Sequence, residues 1–333
     1  MLPAELNAMA IRQTRPSMRY DGGDFFAWQK NAQQTLCRLL GMDKFKSCEP
    51  NFRIEYEREK DGYTETRFTF DTEQGYTSLC VMLTPKAASK GFMICLQGHS
   101  TGMHNSIGVK LYAEDEGSQM GDRDFALQAV RRGYTAMALE QRCFGERGGT
   151  PHPDCHHASM LALLRGRTMI GERVWDVSRL AALIDERFNP DGLPVYVMGN
   201  SGGGTAAVYS AAVIERISGA IPSCAVCTWK ESIAYTWHCA CNYVPGIANY
   251  FDMGDIAGLI APRIYVQVNG KDDDIFLLSG AQTCFDTAER LYTAAGAADR
   301  CAFVIGEGGH RFYADPAWKT FEALTEQKTD RAY

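Results

Sequence analysis

The sequence has no segment that could span a membrane and no excess of positive charge. None of its apolar runs reaches the roughly 20 residues that a transmembrane helix needs. Lysine and arginine together number 34 against 40 aspartates and glutamates, and the formal net charge of −6 excludes the basic surface typical of proteins that bind nucleic acids or anionic membranes. Residues 1–7 also lack the basic and apolar regions of a secretion signal, so we expect a cytoplasmic protein.

Internal repeats and low-complexity linkers are also missing, which argues against a repeat protein or a string of loosely tethered domains. The 333 residues are 45% hydrophobic and 22% charged, enough to bury the core of one large domain. We predict a helical arm over residues 1–50 and a single α/β domain over residues 51–333. Two segments of that domain, residues 143–172 and 229–253, interrupt its regular pattern.

Cysteine, by contrast, is abundant, with twelve residues. Five of them lie in or beside apolar, strand-like runs, where a reduced thiol behaves as a small hydrophobic group: Cys80, Cys95, Cys224, Cys227 and Cys301. The alternative is a zinc site built from Cys224 and Cys227 together with His238, Cys239 and Cys241. Residues three apart on a strand point to opposite faces, and Cys239 and Cys241 lack the two-residue spacer of paired zinc thiolates. We therefore expect no metal and no cofactor.

Strand and helix patterns alternate along most of the chain. Residues 24–41 carry apolar side chains at helical spacing and end on a glycine, which predicts an amphipathic helix. Residues 53–86 alternate polar and apolar side chains around two tight-turn signals, which predicts an antiparallel meander. Apolar runs separated by helical stretches such as residues 124–132 and 174–188 then predict a mostly parallel sheet flanked by helices: residues 91–96, 134–139, 193–198, 217–226, 259–268 and 301–305. The predicted fold class is α/β.

The stretch around Ser201 is the strongest chemical signal in the sequence. An apolar run that predicts a strand ends at Met198, and a run of small residues that predicts a helix begins at Gly202. Ser201 therefore lies at a sharp strand-to-helix turn, with glycines two residues before and after it, which is the pattern of a nucleophile elbow. We predict that Ser201 is a catalytic nucleophile.

A serine nucleophile needs a general base and an acid that orients the base. A predicted strand ends in Asn269-Gly270, and the carboxylates of Asp272, Asp273 and Asp274 follow it. The next predicted strand leads through glycines to His310, which is the one histidine of seven that follows these carboxylates. The chain order Ser, Asp, His of α/β-hydrolases therefore selects His310 as the base and leaves the acid open among three aspartates.

Two further groups of residues are predicted to complete the site. The backbone N–H of Gly202 and that of His99, which follows the predicted strand 91–96, are expected to form the oxyanion hole, and the His99 imidazole could contact substrate. The interruptions at residues 143–172 and 229–253 are expected to wall the pocket. The second is rich in aromatic residues, and its pocket candidates are Trp229, Trp237, His238 and Tyr243.

An ordered set of short motifs resembles the dienelactone-hydrolase and acetyl-xylan-esterase-like branch of the α/β-hydrolase superfamily. The motifs are residues 97–99, 140–146, 164–167, 171–173, 199–203, 243–247 and 261–263. The resemblance implies an α/β-hydrolase fold, with Ser201 as nucleophile, His310 as base and Asp273 as acid, because the family's acid stands three residues after a strand-ending glycine, here Gly270. Dienelactone hydrolase itself uses a cysteine nucleophile, so Ser201 favours the esterase-like relatives.

These features predict a serine carboxylic-ester hydrolase that acts on small acyl esters, and the resemblance favours an acyl group carried on a carbohydrate. A homo-oligomer is compatible with the sequence. One alternative is a serine peptidase of the prolyl-oligopeptidase type, although the chain is too short to hold that family's propeller domain. Another is a non-catalytic receptor on a hydrolase scaffold, against which the intact serine, carboxylate and histidine set argues.

Overall fold

A mixed β-sheet forms the centre of the molecule. The computed structural model describes residues 1–115, 117, 120–148 and 154–329, so residues 149–153 of the first predicted insertion lie outside the described residues. The strands of the sheet are β1 (Arg53–Lys60), β2 (Tyr63–Glu73), β3 (Tyr76–Pro85), β4 (Phe92–Leu96), β5 (Thr135–Leu139), β6 (Val195–Asn200), β7 (Ile217–Ser223), β8 (Ile264–Gly270) and β9 (Cys301–Gly306).

The order of the strands across the sheet is β1-β2-β3-β5-β4-β6-β7-β8-β9. The first three strands form the predicted antiparallel meander, and β3 also pairs antiparallel with β5. From β5 and β4 to β9 the strands pair in parallel. The predicted α/β class, with a mostly parallel sheet that begins with antiparallel strands, is therefore confirmed.

Helices cover both faces of the sheet. They are α1 (Pro3–Gln13), α2 (Phe25–Leu40), α3 (Phe125–Arg131), α4 (His156–Leu164), α5 (Met169–Arg187), α6 (Gly202–Val213), α7 (Met253–Gly258), α8 (Leu278–Ala294) and α9 (Ala314–Thr329). The apolar sides of α2, α5, α6, α7 and α8 share one core with one face of the sheet, whereas α3 and α9 pack into a second core on the other face. Within the described ranges, no helix is both long and apolar enough to cross a bilayer.

The predicted helix over residues 24–41 is confirmed as α2. Asp24 caps it by accepting hydrogen bonds from the backbone N–H groups of Phe26 and Ala27, and Gly41 ends it with φ 77°. Phe25, Ala32, Leu36 and Leu40 on its apolar side are buried in the core. The arm predicted for residues 1–50 thus contains a helix that packs onto the sheet domain through its apolar side.

Three predicted boundaries are wrong by three residues or more. The strand predicted over residues 217–226 ends at Ser223. The run from Leu259 is apolar and buried, but its first residues continue the turns that follow α7, so β8 begins only at Ile264. Burial makes a turn and a strand look alike in composition. The helix predicted from residue 174 begins at Met169, because the Thr168 hydroxyl accepts a hydrogen bond from the backbone N–H of Gly171 and caps the helix earlier.

A buried ion-pair network joins the segment after β5 to α5. The Arg142 guanidinium donates two hydrogen bonds of 2.8 Å to Asp176. It also donates to Glu73 at 2.8 Å and to Glu172 at 3.2 Å. The planar fork of arginine suits this multidentate arrangement, and the carboxylates offset the cost of burying its charge. The network fixes the start of the first predicted insertion against the domain core.

Candidate active site

Ser201 lies between β6 and α6 in a backbone conformation that residues with side chains rarely adopt. Its φ is 56° and its ψ is −125°, which is the strained geometry expected of a nucleophile elbow. The backbone holds this turn through a hydrogen bond of 2.8 Å from the Ser201 N–H to the carbonyl of Ser223 and through another from Thr205 N–H to the Ser201 carbonyl. The serine side chain therefore projects from the carboxyl edge of the sheet.

The glycines around Ser201 are required by close backbone contacts. A Cβ at Gly199 would lie 2.6 Å from the carbonyl oxygen of Leu96, and one at Gly203 would overlap that same oxygen. Any side chain at these positions would push β6 and α6 away from β4. The glycine pattern seen in the sequence thus permits the packing that presents Ser201.

His310 and Asp273 form a hydrogen-bonded pair at the same edge. Asp273 Oδ2 lies 2.9 Å from His310 Nδ1, and the carboxylate is buried. Asp273 Oδ1 accepts hydrogen bonds from the backbone N–H groups of Ile275 and Phe276. Burial alone would raise the pKa of Asp273, but hydrogen bonds from His310 and these backbone groups lower it below its usual value. An ionised Asp273 can keep the proton on Nδ1 and leave Nε2 as the basic nitrogen.

The neighbouring aspartates do not share this position. Asp272 and Asp274 are both exposed, whereas Asp273 is 3% exposed and faces the imidazole. Of the three acids that the residue order left open, Asp273 is therefore the one that contacts His310. This is also the position to which the resemblance points.

Aromatic packing holds the imidazole from the side. Phe276 stacks on His310 with ring centres 5.8 Å apart. Phe276 also contacts His238, whose ring lies edge-on to the phenyl ring at 5.2 Å. His238 is buried, and burial lowers its pKa to about 4, so it is neutral at physiological pH. His238, predicted as a pocket residue, thus lies behind Phe276 as a packing partner.

Ser201 and His310 line one cavity of about 230 Å³. Its other walls include Gln97, His99 and Arg123. Among the described residues the Ser201 hydroxyl makes no hydrogen bond to His310, and in ligand-free enzymes such bonds are often long until substrate binds. The cavity brings the predicted nucleophile, base and His99 loop to a single concave site.

The two predicted oxyanion donors lie beside Ser201. Gly202 is the first residue of α6, so its N–H has no partner one turn earlier in the helix. In the described part of the chain, no acceptor takes the backbone N–H of His99. The His99 ring lies against Gly202, since a Cβ at Gly202 would be 2.8 Å from His99 Nδ1. The geometry is compatible with an oxyanion hole of these two N–H groups.

A buried carboxyl group supports the loop that carries His99. Glu140 follows β5 and accepts hydrogen bonds from the side-chain amide of Gln97 and, at 3.1 Å, from the backbone N–H of Met103. Because Glu140 is 1% exposed, desolvation raises its pKa to about 8. Sequence reasoning missed this role, since nothing local to Glu140 indicates which loop it would face.

Arg123 is a second residue that sequence reasoning missed. Its guanidinium donates to Asn200 Oδ1 at 3.1 Å and to the backbone carbonyl of His310 at 2.8 Å. It thereby links the residue before Ser201 to the loop that carries His310, the predicted base, and it adds a positive charge to the cavity wall. A single arginine in a turn before α3 gives no sequence signal of such a position.

The predicted aromatic pocket residues lie elsewhere. Trp229 is buried in the core, and its indole N–H donates to the carbonyl of Phe251. Trp237 is 82% exposed, and it lines a groove against α1 together with Tyr243. Within the described ranges, none of these three residues lines the cavity that contains Ser201.

Sequence comparison gives one distant relative. No known protein-family model matches the chain. The chain is 26% identical over 189 residues to YtaP, a candidate hydrolase of Bacillus subtilis strain 168. The match spans 56% of this chain and 62% of the length of that relative.

Comparison with solved structures establishes the fold. A candidate acetyl xylan esterase of Bacteroides fragilis aligns with a TM-score of 0.77 at 17% identity, over 92% of this chain and 82% of that one. A glucuronoyl esterase of Solibacter usitatus aligns with a TM-score of 0.65 at 14% identity, over 94% and 97%. Acetyl xylan esterase 1 of Thermoanaerobacterium aligns with a TM-score of 0.60 at 16% identity, over 96% and 98%. The chain has the α/β-hydrolase fold of these esterases.

Proposed function

We propose that this protein is a serine carboxylic-ester hydrolase in which Ser201 is the nucleophile, His310 the general base and Asp273 the acid that orients it. The observation that carries this proposal is the shared cavity of Ser201 and His310. In that cavity the serine has the strained φ of 56°, and the histidine is held by a buried carboxylate at 2.9 Å. Each feature separately has structural explanations, but their meeting in one cavity matches the requirements of covalent acyl transfer.

The chemistry proceeds in two steps. His310 Nε2 accepts the Ser201 proton as the hydroxyl oxygen attacks the ester carbonyl, and the backbone N–H groups of Gly202 and His99 stabilise the oxyanion. His310 then gives the proton to the leaving alcohol, and an acyl-enzyme on Ser201 remains. Water, activated by the same imidazole, attacks the acyl-enzyme and releases the acid. No cofactor takes part in these steps.

The favoured substrate is a small acyl ester on a carbohydrate. A cavity of about 230 Å³ is small for a ligand pocket, which favours short acyl groups over long chains. Polar walls at Gln97, Arg123 and His99 suit a hydroxylated alcohol better than a lipid. The solved structures with the same fold include acetyl xylan esterases, which supports a carbohydrate ester.

We also infer the setting in which the enzyme acts. The twelve cysteines form no disulfides with one another, which supports the reducing conditions of the expected cytoplasmic location. The net charge of −6 supports action without nucleic acid or a membrane surface. Light scattering of the purified chain would establish whether it forms a homo-oligomer.

A substrate panel tests the proposal. It contains p-nitrophenyl esters from acetyl to octanoyl, acetylated xylo-oligosaccharides, a feruloyl ester, a methyl ester of glucuronate and a peptide p-nitroanilide. We expect kcat/KM to be highest from acetyl to butyryl and the anilide to be untouched. Rapid anilide cleavage would favour a peptidase, and no turnover of any ester would favour a receptor. Acetate release from the oligosaccharides no faster than in buffer would exclude the carbohydrate and leave the esterase.

A further inference from the structure

Three cysteine sulfurs and one imidazole converge next to the cavity, and ester hydrolysis uses none of the sulfurs. The side-chain ligand atoms of His99, Cys155, Cys239 and Cys241 all lie within 4.8 Å of one another. His99 Nε2 is 3.2 Å from Cys241 Sγ and 3.9 Å from Cys155 Sγ. Cys155 and Cys241 are buried, and Cys239 is half-buried. This group is called the sulfur cluster below.

The sulfur cluster joins three separate parts of the chain. His99 lies in the loop after β4, Cys155 directly precedes α4, and Cys239 and Cys241 lie at a short 3₁₀ helix in the second predicted insertion. Bringing these segments together costs chain entropy, and thiols are too weak as hydrogen-bond donors to offset that cost. The convergence therefore points to a stronger interaction among the four ligand atoms.

A buried cation faces the sulfur cluster. The Arg173 side chain is 1% exposed and has no carboxylate partner in the described part of the chain. Two of its nitrogens contact the Cys155 and Cys241 sulfurs, each at 3.4 Å, and it also donates to the carbonyl of Arg142. A buried charge needs a countercharge, and here the sulfurs are placed to supply it as thiolates.

We propose that His99, Cys155, Cys239 and Cys241 bind one zinc ion as a structural Cys₃His site. Zinc binds thiolates at about 2.3 Å and imidazoles at about 2.0 Å, so tetrahedral ligands lie about 3.5 to 3.8 Å apart. The ligand atoms of the sulfur cluster include one pair 3.2 Å apart and all lie within 4.8 Å of one another, so small shifts, outward for that pair and inward for others, reach this spacing. Three thiolates, one divalent cation and the Arg173 guanidinium sum to zero charge. Four protein ligands leave no open position, which is typical of structural zinc.

The zinc ligands differ from the set weighed on sequence. That set joined Cys239 and Cys241 with Cys224, Cys227 and His238. However, β7 ends at Ser223, the Cys224 thiol donates to the carbonyl of Arg311 and the Cys227 thiol to that of Leu277. His99 and Cys155 occupy the remaining positions instead. The expectation of a chain without metal rested on the strand geometry of Cys224 and Cys227 and on the short Cys239–Cys241 spacer, and the proposed site keeps only the second pair.

Metal binding at this place would organise the active site. It would tie both predicted insertions to the loop whose backbone N–H we assign to the oxyanion hole, a consequence that rests on the proposed function. It would also fix the His99 tautomer, because a ring bound through Nε2 carries its proton on Nδ1. That Nδ1 lies beside Gly202, the residue after the nucleophile.

Metal analysis of the purified full chain tests the proposal without any substrate. Mass spectrometry of the acid-digested protein should find about one zinc per chain, as one Cys₃His site requires. Cys155→Ser and Cys241→Ser should lose at least about nine-tenths of it. Cys227→Ser is the matched control, because Cys227 is buried and its thiol donates to the carbonyl of Leu277, outside the ligand set. His99→Cys should keep the metal by forming a Cys₄ site.

A second measurement guards against misfolded variants. Cobalt titrated into the chelator-treated wild-type protein should give the visible absorption of tetrahedral coordination with a thiolate charge-transfer band in the near ultraviolet. Wild-type protein that holds no zinc and gives no such band would overturn the site, as would zinc that persists in Cys155→Ser. A disulfide within the sulfur cluster, found by thiol counting under denaturing conditions, would overturn it as well. Esterase activity enters none of these outcomes, so its absence would contradict only the proposed function.

Discussion

Replacing Asp273 by asparagine tests the assignment of the acid with little change in shape. The asparagine oxygen can still accept from the backbone N–H groups of Ile275 and Phe276, which now bind Asp273 Oδ1 at 2.9 and 3.0 Å. The amide nitrogen then occupies the position of Oδ2, 2.9 Å from His310 Nδ1. Because that nitrogen is a donor, it favours the imidazole tautomer whose proton is on Nε2, which cannot accept the Ser201 proton.

The expected loss of kcat is large because the variant holds the His310 imidazole in the wrong tautomer before the reaction begins. In serine hydrolases with this arrangement the same change lowers kcat by about 10⁴-fold, which corresponds to about 5 kcal/mol in the activation free energy. The KM should change little, since Asp273 does not line the cavity that contains Ser201. The urea midpoint should also stay near that of the wild-type protein, because both backbone hydrogen bonds remain.

Steady-state hydrolysis of p-nitrophenyl acetate measures this effect. Asp272→Asn and Asp274→Asn are the matched controls, since both side chains are exposed, and both should keep nearly the wild-type kcat. If Asp273→Asn stays within about tenfold of the wild-type rate, the carboxylate does not orient the base. A larger loss in either control would move the acid by one position and refute the geometric reasoning.

Three further changes probe the nucleophile, the core and the site loop. Ser201→Ala should reduce ester turnover to the level of buffer, and a phosphonate probe should label Ser201 alone in the wild-type protein; labelling at another residue would refute the elbow assignment. Asp176→Ala removes the bidentate partner of buried Arg142 and should lower the free energy of unfolding in urea by about 3 kcal/mol. Its control is Asp185→Ala, which breaks an exposed ion pair and should lower that free energy by less than about 1 kcal/mol; equal losses would contradict the role of the network. Glu140 keeps its proton up to about pH 8 in the folded chain but loses it near pH 4.5 when the chain is unfolded, so wild-type stability should fall as pH rises through that window. Glu140→Gln should flatten the slope of stability against pH between pH 5 and pH 8, and an unchanged slope would place the titration in another group.

The sequence predicts most of the sheet because each strand carries a local signal. Apolar runs bounded by turn residues identify the strands, and the glycine pattern around Ser201 identifies the turn that presents its hydroxyl. His310 could be predicted as the general base because it is the one histidine that follows the candidate aspartates in the chain. Asp273 could not be separated from Asp272 and Asp274 by residue type, because the turn after β8 sets the direction of each carboxylate. The aspartates one position before and after Asp273 are exposed.

Residues that contact partners far away in the sequence could not be predicted from the sequence. The aromatic residues Trp229, Trp237 and Tyr243 share a composition with pocket walls, but composition does not tell which surface an irregular segment faces. Arg123 and Glu140 give no periodic or motif signal, although each supports a loop of the site. Their contacts are set by the order of strands across the sheet, which brings β4, β5 and β6 together out of chain order.

His99 shows how a residue with a local prediction can also belong to an arrangement that its position in the sequence does not indicate. Its place after β4 points to the backbone N–H, and that inference needs only the loop. Its ring joins sulfurs that lie 56 and 142 residues away along the chain, and no spacing rule for metal ligands spans such separations. Because the N–H and the ring belong to one residue, an ion held by the ring would also restrain the position of the N–H. The proposed metal site and the proposed oxyanion hole are therefore mechanically coupled through His99, while the two remain separable by experiment.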